Sequence, residues 1–207
     1  SNDFSTIGGG YYNSASGSYS SVLGGSDNFA TANYSIVSGG LNNEASGELS
    51  TIGGGGFNIA ASGFSTVSGG QNNTVLAGSH SSIGGGLLNT ISQQFSTIAG
   101  GYQNQASQQF SFIGGGLQNQ ASGQWSTVGG GQSNTASGDY SSVIGGFMNE
   151  SSGLYSTILG GVSNVSAGDY SLATGIRAKI DADHDGSFLF ADHTNADFNS
   201  AAADEFA

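Results

Sequence analysis

The chain has 207 residues and a formal charge of −12, from 14 acidic residues against Arg177 and Lys179, so residues 1–176 contain no Lys or Arg. Nucleic-acid backbones and anionic membrane surfaces both require clustered basic side chains, and this charge balance excludes them as partners. Cysteine is absent, which removes disulfides and thiolate metal sites, and no apolar run approaches the ~18 residues that cross a bilayer.

Glycine accounts for 38 residues and charged residues for only 8%. Gly-rich chains are commonly disordered when aromatic and β-branched residues are scarce. Here aromatics reach 10% and Ile and Val recur throughout, so the glycines are read as periodic turn residues. From the N-terminus onward an aromatic–Ser pair returns as Phe4-Ser5, Tyr19-Ser20, Tyr34-Ser35, Leu49-Ser50, Phe64-Ser65 and His80-Ser81. It continues as Phe95-Ser96, Phe110-Ser111, Trp125-Ser126, Tyr140-Ser141, Tyr155-Ser156 and Tyr170-Ser171. Every interval is 15 residues except one of 16, between Phe64 and His80, where an extra residue is expected to bulge out after Asn73. Such self-similarity marks a repeat architecture. Because the chain carries no signal peptide and opens in mid-repeat at Phe4, it is expected to be a piece of a longer protein.

The consensus is aromatic-Ser-Ser/Thr-Ile/Val-x-Gly-Gly-x-x-Asn-x-Ala-Ser-Gly-x. Each repeat has a first stretch of strand propensity, such as Phe95–Ile98, stopped by Gly100-Gly101, and a second, such as Asn104–Ser107, that returns toward the next aromatic. Gly and Asn are expected to supply positive φ at the corners. Two strands and two turns make one flattened coil, with equivalent positions stacked about 4.8 Å apart. The predicted fold is all-β: a β-solenoid of about twelve 15-residue coils, on the order of 55 Å long.

Alternation places Ser at the second position, Ile/Val at the fourth and Gly at the sixth on one face. The Ile/Val column runs Ile7, Val22, Val37, Ile52, Val67, Ile83, Ile98, Ile113, Val128, Val143 and Ile158, met from the opposite strand by Ala15, Ala45, Ala106, Ala121 and Ala136. This core is thin. One buried Ile or Val contributes roughly 1.5–3 kcal/mol, whereas ordering each residue's backbone costs roughly 1–2 kcal/mol. The aromatic column is expected on the other face of the same strand, where packing against neighbouring chains offsets the deficit. The predicted chain–chain interface is therefore Phe4, Tyr19, Tyr34, Phe64, Phe95, Phe110, Trp125, Tyr140, Tyr155 and Tyr170. The alternative is an exposed aromatic stripe that binds a ligand.

Asn recurs at the tenth position from Asn13 through Asn164, and amides one coil apart can bond as a ladder. Asn-x-Ser/Thr triplets such as Asn149-Glu150-Ser151 follow from the repeat. Catalysis has little to work with. His80 fills an aromatic slot, no Ser-His-Asp set stands apart from the repeat, and no Lys follows the Gly-Gly-Gly runs as a phosphate loop requires. Half of the acidic residues fall between Asp181 and Glu205. Asp181-Ala182-Asp183-His184-Asp185-Gly186 matches half of a calcium loop, with Asp192 at its twelfth position, so Asp181, Asp183, Asp185 and Asp192 are candidate calcium ligands. The same cluster is equally read as a solvated acidic edge that discourages end-to-end strand pairing.

The repeat, and Ser171-Leu172-Ala173-Thr174-Gly175 above all, resembles the S-x-A-x-G head motif of trimeric autotransporter adhesins of the YadA type, over residues 4–176. That resemblance implies a left-handed parallel β-roll, a homotrimer, an extracellular location on a bacterial cell surface or virion fibre, and adhesion to a host-surface protein or glycan. The chain departs from the pattern in its Ile/Val where Ala is common, its aromatic before the Ser, and its period of 15 instead of 14. His184–Asp192 looks like the segment that closes such arrays in long fibre proteins, which often end in an intramolecular chaperone domain; any such domain is expected beyond Ala207. The predicted organisation is a repeat β-roll over 1–176 and an acidic closing segment over 177–207, the start of a neck or next domain. The expected function is a structural or adhesive segment without enzymatic activity. Two other readings stand beside it. One is a carbohydrate-binding phage-tail-like fibre that uses Tyr11, Leu41, Leu87, Tyr102, Leu117 and Phe147 after the double glycine. The other is an ice-binding solenoid based on the Thr6, Thr51, Thr66, Thr97, Thr127 and Thr157 column, which Ser21, Ile36, Ser82, Phe112, Ser142 and Leu172 interrupt.

Overall fold

The computed structural model describes residues 4–194 and 196–206. Among them there is no helix, and the fold is a parallel β-solenoid of about twelve turns. Two compact units divide the chain, residues 1–103 and 104–207.

In the first unit Thr6–Ile7, Ser21–Val22, Ile36–Val37, Thr51–Ile52, Thr66–Val67, Ser82–Ile83 and Thr97–Ile98 pair in that order as one parallel sheet. The opposite sheet stacks Ser14–Ala15, Phe29–Ala30, Glu44–Ala45, Ile59–Ala60, Thr74–Val75 and Thr90–Ile91. In the second unit one sheet runs from Phe112–Ile113 through Thr127–Val128, Ser142–Val143, Thr157–Val162 and Leu172–Ile176 to Phe188–Ala191. The other runs from Gln105–Ala106 to Phe198–Asn199, so parallel pairing carries on past residue 176. Parallel strands need a crossover between them, and here each sheet serves as the crossover of the other. The eighth repeat position adds a third, narrower line of parallel bridges, Tyr11 to Ser26 to Leu41 to Gly56 in the first unit and Leu117 to Gln132 to Phe147 to Val162 in the second. These residues are backbone-paired where the sequence suggests a loose corner.

Val22, Val37, Ile52, Val67, Ile83, Ile98, Ile113, Val128, Val143 and Ile158 are fully buried, as are Ala45, Ala106, Ala121 and Ala136 of the opposite strands. Ile7 is the exception at 50% exposure, because its coil has a described neighbour on one side only. Ala30, Ala60, Val75 and Ile91 extend the apolar lining of the opposite strands, and Ile180 and Leu189 that of the last coils; much of the remaining interior is polar. The second-position Ser column, Ser20 to Ser171, and the Asn column, Asn28 to Asn164, are also buried. Each Asn is bonded upward, downward and across. The Asn43 backbone N–H and Nδ2 both donate to Asn28 Oδ1 at 3.1 Å, and Nδ2 also donates to the Gly39 and Gly55 carbonyls at 3.0 Å. The ladder expected from spacing is present, and it ties side chain to backbone as much as amide to amide. Ala178 ends it by donating its N–H to Asn164 Oδ1 at 2.9 Å.

Three of the expected local features differ. The strands hold only the third and fourth repeat positions in most coils, so alternation stops before the sixth-position glycine, and a Cβ on Gly24 would meet open space. The aromatic is not on the strand at all. It sits in the preceding turn in the left-handed region, with φ between 55° and 62° from Phe4 to Tyr170. The ninth position is left-handed too, whatever its residue: Tyr12, Asp27, Leu88, Met148 and Arg177 all have φ between 50° and 62°. The tenth-position Asn stays extended so that its side chain can point inward. Non-glycine residues in this region are strained by roughly 1–2 kcal/mol each, and the stack offsets that strain with an inter-coil bond at each aromatic, such as Tyr34 N–H to the Ser18 carbonyl at 2.9 Å.

The extra residue lies where spacing puts it. Thr74–Val75 keeps its register against Thr90–Ile91, and the surplus is absorbed between Leu76 and Ser79, with Leu76 and Ala77 exposed and Gly78 folded in over Ser81 and Ile91.

Adjacent glycines should respond oppositely to Ala. At the seventh position φ lies between 85° and 103°, and a Cβ on Gly25 would fall on the Gly40 carbonyl oxygen and Asn28 Nδ2. Gly25→Ala is expected to destabilise the chain by about 3 kcal/mol or more, and Gly24→Ala by less than about 1 kcal/mol, read by denaturant unfolding. The polar interior gives a second contrast. Asn134→Ala strands the Gly130 carbonyl and the Asn149 N–H, while the Gly146 carbonyl keeps the Gln132 N–H, at about 2 kcal/mol or more. Ser126 Oγ is buried without a partner, so Ser126→Ala should be near neutral in the same assay.

Candidate interaction surface

The left-handed corner aims each aromatic ring outward and along the solenoid. In the first unit Phe4, Tyr19 and Tyr34 stack at centroid distances of 5.0 Å. Leu49 interrupts the column, which resumes with Phe64, His80 and Phe95 at 4.6 and 5.2 Å. In the second unit Phe110, Trp125, Tyr140, Tyr155 and Tyr170 stack at 3.8, 6.2, 4.6 and 5.3 Å. Interplanar angles throughout are 16° or less. Within each run ring faces are covered by the neighbouring rings and the exposed part is largely edge, as at Tyr140 (43%) and Tyr19 (47%), while Tyr170, at the end of its run, is 65% exposed. A sugar that stacks on an aromatic needs a free face. This column offers edges and phenol hydroxyls.

The flanking columns share one property that the sequence holds but motif reading passes over. From Phe4 to Ile176, repeat positions one to eight contain no Asp, Glu, Lys or Arg in any coil. Acidic residues of the repeats fall at the ninth position (Asp27), the eleventh (Glu44, Glu150) and the fifteenth (Glu48, Asp139, Asp169). Each coil therefore has an uncharged half, bearing the aromatic edges together with Leu23, Ile36, Phe112, Ile144 and Leu159, all exposed. Every acidic residue of the repeats lies in the other half, in the coils before Leu49 and after Gly138, and the coils between carry no charge. Sorting charges by repeat position would have found this. At the eighth position Gly56 opens a shallow notch of about 600 Å³ between Leu41 and Leu87, floored by Gly70 and Gly86 and flanked by Phe57 and Gln71.

The fifteenth-position aspartates have structural partners. Asp139 Oδ1 accepts from Gln124 N–H, Asp169 Oδ1 from Leu154 N–H, and Asp185 Oδ1 from Asp169 N–H, each at 2.8 Å. Asp185 thus takes the fifteenth-position role in its coil. Of the four candidate calcium ligands, Asp181 and Asp183 converge, together with His184. Asp185 is turned to the Asp169 backbone and Asp192 Oδ1 accepts from Thr194 N–H at 2.7 Å. Coil register sets where Asp185 points, and Asp181 and Asp183 are the two of the four whose carboxylates converge. His184 Nδ1 lies 2.6 Å from Ser200 Oγ. Asn149 of the Asn149-Glu150-Ser151 triplet is buried, with Nδ2 donating to the Gly145 and Gly161 carbonyls, so its amide is closed to modification in the folded chain.

One coil of this pattern, from Ser96 to Ser107, is also the stretch that matches a known family model. Residues 96–107 match the ubiquitous surface protein adhesin repeat. No curated protein matches the chain. The adhesin repeat and the solenoid together point to a structural, adhesin-like segment, and the surface association of that repeat family points to an extracellular location.

Both cations of the chain fasten its last coils. Lys179 Nζ donates to the Ser163 carbonyl at 2.6 Å, and Arg177 Nε to Asp197 Oδ1 at 2.8 Å. The Arg177 guanidinium holds the Asp197 carboxyl below its ordinary value, and Thr194 does the same for Asp192. A carboxyl depressed on folding adds stability that is present above its unfolded value and lost as pH falls through the folded one. The protection of the Phe198 amide, which donates to the Arg177 carbonyl, measured relative to its intrinsic exchange rate at each pH, should therefore fall as pH drops below about 4, and Asp197→Asn should remove much of that acid dependence.

Proposed function

We propose that this chain is a structural segment of a trimeric surface adhesin or fibre, a left-handed β-roll whose copies associate through the uncharged half of each coil. The observation that carries the reading is the segregation of charge. An uncharged, aromatic-edged half in every coil, with all the acids of the repeats confined to the other half, fits a surface covered by like chains on one side and solvated on the other, since same-sign charges would repel across a contact between copies. Phe4, Tyr19, Tyr34, Phe64, Phe95, Phe110, Trp125, Tyr140, Tyr155 and Tyr170 then form the edge of the contact. The thin Ile/Val–Ala core supports the same reading, because apolar burial between chains supplements what a single coil buries. Adhesion to a host-surface protein or glycan belongs in this scheme to the surface left outside the contact.

Static light scattering of the purified chain at micromolar concentration is expected to give three times its 20.5 kDa. Trp125→Asp, which places a carboxylate on the uncharged half, should shift the mass toward one chain. A monomer for the unmodified chain at that concentration overturns the association.

A further inference from the structure

Five of the eight tyrosines occupy the aromatic column, and they do so in runs. Tyr19 lies over Tyr34 at 5.0 Å and 2°, Tyr140 over Tyr155 at 4.6 Å and 14°, and Tyr155 over Tyr170 at 5.3 Å and 12°. All five are at least 43% exposed in the single chain, so a small oxidant reaches their edges before copies associate over them. Equal register holds each pair with its Cα atoms about one strand spacing apart, roughly 4.8 Å. Two phenols held at this separation react as one molecule instead of two.

We propose that these tyrosine runs are oxidative cross-linking sites, at which one-electron oxidation by a peroxide-driven oxidant joins Tyr19 to Tyr34 and Tyr155 to Tyr140 or Tyr170 as dityrosine. Each phenol gives up one electron and its hydroxyl proton. The two phenoxyl radicals form a carbon–carbon bond between positions ortho to oxygen, and the ring hydrogens at those positions move to the oxygens as aromaticity returns. Two electrons and two protons pass to one hydrogen peroxide, which leaves as two waters. The backbone stays in register, and closure needs rotation of the side chains only.

The cross-link suits this chain for a specific reason. With no cysteine in 207 residues, the solenoid has no disulfide to close one coil onto the next. Small or thin cores usually gain such staples from disulfides or metals. A dityrosine closing a 15-residue loop restricts the unfolded chain much as a disulfide of that span does. The site stands on the stacking within one chain, and it does not rest on the association of copies.

The test treats the full chain with hydrogen peroxide and a haem peroxidase, then follows dityrosine fluorescence, migration on a denaturing gel and cross-linked peptides. Cleavage after acidic residues at Asp139, Glu150 and Asp169 separates Tyr140, Tyr155 and Tyr170 onto different peptides. The expected product runs as a single chain, carries Tyr19–Tyr34 and Tyr155-containing links, and forms at least about tenfold faster than in the urea-unfolded chain. It should also melt at higher temperature than the untreated protein. Tyr155→Phe keeps the stacked ring, removes both links in its run and leaves Tyr19–Tyr34 as an internal control. The proposal is overturned if folded and unfolded chains cross-link equally, if Tyr140 and Tyr170 still join in Tyr155→Phe, or if links form only between chains. Within-chain links in a sample that light scattering shows to be monomeric would sustain it while sinking the trimer.

Discussion

Stacking each coil on the next at hydrogen-bonding distance leaves no space for a Cβ at the seventh repeat position, and the rest of the structure depends on that approach. Gly25, Gly40 and their equivalents put their backbones against the neighbouring glycine. The Asn three residues on fills the space beneath, bonds to the sixth-position carbonyl that this sharp bend would otherwise strand, and adds a second bond to the next coil's glycine carbonyl. Neither residue acts alone. Without the glycine the coils separate, and without the Asn a carbonyl and an N–H per coil are buried unpaired. The Ile/Val and Ala columns complete an interior that this polar seam has already set in register.

The same seam explains the strained corners. A left-handed Trp or Tyr is unfavourable taken alone, but the corner must bend where the inward Ser and the strand residues require it. The residue there has its N–H bonded to the previous coil. A large flat side chain at that position then stacks on its equivalents, adding about 0.5–1.5 kcal/mol per pair, a return on strain that a glycine corner could not give. Local preference is overruled by a contact that exists only because the chain repeats.

Period, the alternation of two strands per coil, the Ile/Val and Ala columns, the Asn ladder and the site of the extra residue were all legible from spacing, because each depends on what recurs. The backbone conformation of the corners was not, since propensity assigns φ > 0 to Gly and Asn, whereas Leu88, Met148 and Trp125 adopt it through inter-coil bonding. Asp185 misleads for a related reason. Read along the chain it belongs to Asp181 and Asp183, and read across coils it belongs with Asp139 and Asp169, whose backbone-capping role it repeats. Among repeats the residue 15 or 16 positions away is a closer neighbour than the one two positions away, and motifs defined along the chain lose their meaning accordingly.

That inversion of neighbourhood bears on how such a chain acquires function. A single substitution in an ordinary fold changes one place on the surface, whereas in a solenoid a residue type fixed at one repeat position becomes a line. Excluding charge from positions one to eight makes an uncharged face, and placing aromatics at position one makes a stack whose inner rings present edges. These are properties of columns, and none needs a particular residue to be indispensable. Leu49 and His80 stand in the aromatic column, and Phe112 stands in the Thr column, without changing the register. Recognition by such a surface rests on the sum over coils, which is the economy expected of a structural, adhesin-like segment and the opposite of what an enzyme's few fixed side chains require.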